Sequence, residues 1–92
     1  MAPLDHEELT TCLEGGDWRI EGDAIVRDLE LEGFTAAIAL VNDIAVLAEE
    51  ANHHPDLLVH GYKRLRVTLT THSEGGVTEN DLQMAERIDA LL

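Results

Sequence analysis

Residues 63–71 read Lys63-Arg64-Leu65-Arg66-Val67-Thr68-Leu69-Thr70-Thr71. Leu65, Val67, Leu69 and Thr71 alternate with Arg64, Arg66, Thr68 and Thr70. Successive side chains of a strand leave opposite faces of its sheet, so a period of two marks one buried face and one open face. The buried face needs amphipathic cover, and the flanking segments are the candidates for it.

Just upstream, Leu57 to His60 reads as a short strand joined to the first through Gly61, and Pro55 stops the helix before it. That helix covers Phe34 to Glu50. Phe34, Ala37, Val41, Ile44 and Ala48 form one apolar stripe, and Ala36, Leu40 and Leu47 a second. A surface helix needs a single apolar face, so this wide arc predicts burial on two sides, the second against another subunit. Before the helix, Ala24 to Leu31 is a strand that pairs through the turn Glu21-Gly22-Asp23 with a short strand holding Trp18 and Ile20. The chain opens with a helix begun by Pro3, with Asp5, Glu7 and Glu8 at its positive end, Leu9 and Leu13 on one side, and Gly15-Gly16 at its end.

Downstream, Ser73 to Val77 is a loop around Gly75-Gly76. Thr78 can cap a last helix that carries Leu82, Ala85, Ile88 and Leu92 on one side. The order α-β-β-α-β-β-α predicts an α+β fold, a four-stranded antiparallel sheet with three helices packed on one face, in a single domain over residues 1–92.

A chain of 92 residues buries only about two thirds of its unfolded surface, which leaves a lone monomer marginal. A net charge of -13 with six Lys and Arg disfavours binding to nucleic acid or to an anionic membrane. Cys12 is the only cysteine, so no intrachain disulfide forms. No apolar run reaches membrane-spanning length, and Met1 to Leu13 carries acids where a secretion signal has a basic start. A cytoplasmic protein is expected.

The segment Glu49-Glu50-Ala51-Asn52-His53-His54-Pro55 places a carboxylate and two imidazoles around a helix end. The negative end of a helix dipole favours a protonated histidine, and such a ring can donate a proton to a departing hydroxyl. Glu49, about one turn earlier, can share its side. The second segment is Thr70-Thr71-His72-Ser73, where the best strand leaves the sheet and free peptide groups could dock a flat ligand. Each feature also has a structural explanation. Adjacent histidines after a helix can be a solvated cap, and Asp81, three residues after Thr78, can be the acidic member of a capping box. His53, His54, His60 and His72 could also be read as metal ligands. Neighbouring rings seldom turn to one ion, and no helical His-x-x-x-His pair is present, so no metal is expected. His6 and His60 read as surface residues.

Taken together, Glu49, three residues, His53-His54-Pro55, six residues, Tyr62, nine residues, His72, eight residues and Asp81 resemble the pattern of the pterin-4a-carbinolamine dehydratase family. Trp18, Ile25, Arg27, Phe34 and the Ala48-Glu49 pair extend the likeness over nearly the whole chain. The resemblance implies the same fold and the dehydration of 4a-hydroxytetrahydrobiopterin, or a related pterin, to a quinonoid dihydropterin, with no cofactor. It implies proton transfer by His53 and His72 and ring binding by His54. Glu49, Asn52, Thr70, Thr71 and Ser73 would complete the substrate site, and Asp81 would orient a histidine through its second N–H. Leu57 stands where the family often has tryptophan, and Asn80 where a basic residue often precedes the aspartate. The Pro55 to Tyr62 gap is the longer of the two that the family uses. Some relatives are instead binding or assembly factors, in transcription-factor dimers or Rubisco assembly, roles that need no histidines. A homodimer or homotetramer built through the Phe34 to Glu50 helix is expected.

Overall fold

A computed structural model describes residues 2–92. Helix α1 spans His6–Leu13, strands β1 and β2 span Arg19–Glu21 and Ala24–Glu30, and helix α2 spans Phe34–Ala51. Strands β3 (Asp56–His60) and β4 (Arg64–Leu69) follow, then a 3-10 turn at His72–Glu74 and helix α3 (Glu79–Asp89). The expected element order is the observed one.

The four strands form one antiparallel sheet in the order β1-β2-β4-β3, so the alternating segment lies inside the sheet. Ile25 sits opposite Leu69 and Leu29 opposite Leu65, while on the other side of β4 Leu57 and Val59 face Val67 and Leu65. These residues line one face of the sheet. Leu9 of α1, Leu40 and Ile44 of α2, and Met84, Ala85 and Ile88 of α3 close over it in a single apolar cluster. Leu65, Val67, Leu69, Ile25, Ile44 and Ile88 have no exposed surface.

The opposite face carries a lattice of ion pairs. Arg66 Nε lies 2.8 Å and Arg19 Nη1 2.9 Å from the Asp28 carboxylate, and Arg64 Nε lies 3.4 Å from Glu30. The hydrogen bond from Arg66 is the main cause that holds the Asp28 carboxyl below its ordinary value; Arg19 adds to it and partial burial opposes it.

Three local readings change. Pro3 does not open α1: Asp5 caps it in a reciprocal box with Glu8, accepting from Glu8 N–H at 2.8 Å and donating its own N–H to Glu8 Oε1 at 3.1 Å. Pro3 instead lies against Gly76, where an added Cβ would come within 3.1 Å of the proline ring. Strand β4 stops at Leu69, because Thr71 leaves the ladder to bridge Gly76. On α2 the buried residues are Ala37, Leu40, Ile44 and Ala48, whereas Phe34 turns outward with Ile38 and Val46. Among the described residues, no helix is long and apolar enough to cross a membrane.

Candidate active site

Helix α2 ends at Asn52, whose left-handed backbone (φ 49°, ψ 43°) sends its N–H back to the carbonyls of Ala48 and Glu49. Asparagine tolerates that conformation better than most residues. The reversal separates the two imidazoles. His53, its own N–H bonded to Ala48 O at 3.1 Å, folds inward with a side chain 15% exposed, while His54 points outward at 56%.

Inside, His53 Nε2 makes a short hydrogen bond with Asp81 Oδ1. Asp81 is fully buried on the first turn of α3. Its Oδ2 accepts the Thr78 N–H at 2.9 Å and the Thr71 hydroxyl at 2.7 Å, and the Thr71 and Thr78 hydroxyl oxygens lie 2.9 Å apart. A buried carboxylate is costly unless paired and hydrogen-bonded, and this one has partners on both oxygens. Asp81 thereby ties the tail of α2, the end of β4 and the start of α3 together. It is both the capping-box acid and the partner of a histidine, two roles that the sequence leaves as alternatives.

Outside, His54 Nε2 lies 2.5 Å from Glu49 Oε2, so the carboxylate one turn earlier does reach a histidine. The Thr70 hydroxyl donates to Asp23 O at 2.7 Å. His72 and Ser73 begin the exposed 3-10 turn that follows Thr71. The free peptide edge expected at this strand end is closed at Thr71. Its N–H donates to Gly76 O at 2.9 Å, and its carbonyl accepts from Glu74 and Gly75 N–H, each at 3.0 Å, because the Gly75-Gly76 turn folds back on it. Tyr62 lies in the turn between β3 and β4, at the opposite end of β4 from Thr71, with its ring exposed.

Beside His53 is a recess of about 230 Å³ lined by Ala51, His53, Asn80, Gln83, Met84 and Arg87. His54 and His72 are not part of its lining. Sequence reasoning missed Gln83, Arg87 and the part played by the Thr78 hydroxyl. The first two had a signal: Asn80, Gln83, Met84 and Arg87 follow the i, i+3, i+4, i+7 spacing of one helix face. The hydroxyl contact between Thr71 and Thr78 spans a loop and has no such periodicity. Among the described residues, no three His, Cys, Asp or Glu side chains gather as a metal site.

The likeness to known proteins runs the length of this arrangement. A chain from Chloroflexus aggregans is 47% identical over 94 aligned residues, spanning 100% of this chain and 99% of that one. One from Thermomicrobium roseum is 44% identical, spanning 99% and 98%. Both bear the name pterin-4-alpha-carbinolamine dehydratase as a provisional assignment. The crystal structure of a transcriptional coactivator/pterin dehydratase from Brucella melitensis superposes with a TM-score of 0.87 at 36% identity, covering 96% of each chain. A pterin dehydratase-like protein identified as a RuBisCO assembly factor in the alpha-carboxysome shares the fold, with a TM-score of 0.64 at 21% identity over 80% of this chain and 84% of that one. Since the sequence profile of the Pterin 4 alpha carbinolamine dehydratase family matches residues 2–91, this chain belongs to that family.

Proposed function

We propose that the chain dehydrates a 4a-hydroxytetrahydropterin, 4a-hydroxytetrahydrobiopterin or a close analogue, to the quinonoid dihydropterin and water, in the cytoplasm. In that step the lone pair on the neighbouring ring nitrogen expels the hydroxyl from C4a. An acid protonates the leaving hydroxyl and a base takes the nitrogen's proton, so one water departs and no electrons change hands. Two proton-transfer groups are sufficient.

The observation that supports this most is the knot at Asp81. It fixes His53 at the helix tail and holds Thr71, the residue before His72, to the same carboxylate. His53 and His72 are the proton-transfer pair. His54, held by Glu49 at 2.5 Å, supports the pterin ring, and Asn52, Thr70, Thr71 and Ser73 border it. The substrate is a small molecule; the acidic chain, at net charge -13, suits neither nucleic acid nor an anionic membrane. Assembly as a homodimer or homotetramer uses the exposed apolar residues of α2.

The test is stopped-flow dehydration of freshly generated 4a-hydroxytetrahydropterin. His53→Ala and His72→Ala are each expected to slow turnover about a hundredfold, a usual contribution from general acid–base catalysis. Unchanged turnover in both variants and in their double would remove the mechanism. A second reading, a binding or assembly factor that does no chemistry, has its support in the paired name of the Brucella structure. It gains if the wild-type chain fails to dehydrate the pterin.

A further inference from the structure

The hydrogen bonds around Asp81 have only one consistent direction. A carboxylate accepts and does not donate, so Thr71, 2.7 Å from Oδ2, gives its hydroxyl proton to Asp81. With its proton so placed, the Thr71 oxygen accepts from the Thr78 hydroxyl at 2.9 Å, and the Thr78 oxygen accepts from Asn80 N–H at 3.3 Å. Every donor points toward Asp81. His53 meets Oδ1 through Nε2, so in the neutral ring the proton sits on Nε2 and Nδ1 carries the lone pair. Among the described residues, Arg27 Nε is the buried side-chain nitrogen or oxygen that lacks a partner. His53 Nδ1, which has no hydrogen bond among the described residues, therefore keeps some accessible surface on a side chain that is 15% exposed.

We propose that Thr71 and Thr78 are positioning residues. The Thr71 hydroxyl, itself held by that of Thr78, satisfies Asp81 on the oxygen turned away from His53, locks the Nε2–H tautomer and leaves Nδ1 as the atom of His53 that exchanges a proton with the pterin. The last step rests on His53 being a proton-transfer group. It changes the place of Thr71, whose hydroxyl acts on the site through Asp81 and not by touching the ligand.

The experiment is ¹⁵N-detected NMR of histidine-labelled full-length chain at alkaline pH, where an imidazole is neutral, alongside dehydration kinetics. The wild-type His53 is expected as the Nε2–H tautomer. Thr71→Val should give a mixture of tautomers and lower kcat about tenfold while KM changes little, the scale of losing an outer partner of a functional histidine. Thr71→Ser, which keeps the donor, should restore both. A purely structural threonine would shift the melting temperature and leave the tautomer unchanged. A proton on Nδ1 in the wild type overturns the proposal even if Thr71→Val fails to fold, and so does a folded Thr71→Val with unaltered tautomer and kcat. The spectra need no substrate. A wild type that shows Nε2–H but dehydrates no pterin sinks the dehydratase reading and leaves the tautomer lock standing.

Discussion

A single buried carboxylate does most to organise the site. Asp81→Ala would leave the Thr78 N–H, the Thr71 hydroxyl and His53 without their acceptor at a position with no exposed surface. Loss of a helix cap and of buried hydrogen bonds together should lower stability by about 3 kcal/mol, measurable as a fall in the urea midpoint. A loss no larger than that of a surface substitution would mean that the knot does not form. A second carboxylate organises the far side of the fold. Asp89, at the negative end of α3 where an acid is disfavoured, accepts Trp18 Nε1–H at 2.9 Å and Arg27 Nη1–H at 2.7 Å. Arg27 sits opposite Val67, on the face that the helices cover, which makes Trp18 and Arg27 supports of the fold. Their contribution to the family likeness is structural.

The elements were legible wherever one local rule decides them. Alternation placed β4, glycine placed the turn between β1 and β2, where Gly22 has φ 62°, and Thr78 placed the start of α3. Tyr62 falls between the two strands expected on either side of it, but its backbone conformation was not legible. It takes a left-handed backbone, φ 54°, that costs a side-chain-bearing residue about 1 kcal/mol, and only the closing of β3 onto β4 imposes it. Cross-strand pairing has its own consequence for pH. The Asp28 carboxyl is lowered in the folded chain, first by its hydrogen bond from Arg66. A depressed acid stabilises above its unfolded value and loses that contribution as pH falls through the folded one. Asp28→Asn should therefore lower the urea midpoint slightly at neutral pH and flatten its fall below about pH 4 by the same small amount, small because both partners are solvent-screened. An acid limb identical to the wild type would show that the pair carries no linkage.

Over the whole molecule, α2 has one face in the core and one without cover. Phe34 and Val46 keep 55% and 58% of their surface exposed, and Ile38 keeps 37%. Sedimentation velocity at micromolar concentration should give a species larger than the 10.1 kDa chain, and Ile38→Glu with Val46→Glu should shift it toward the monomer with the helical signal retained. A wild type that sediments only as monomer would refute assembly through this helix. By itself the sequence determined the α+β order, the central strand and the family, because periodicity, capping and fixed spacing each act over a few residues or persist as a pattern along the chain. Only the tertiary structure decided that His53 turns inward while His54 turns outward, that Thr71 closes on Gly76 and that one aspartate serves both a helix cap and a histidine. Those outcomes depend on which loop ends meet in space, and contacts between residues 28 apart, such as His53 and Asp81, leave no period to read.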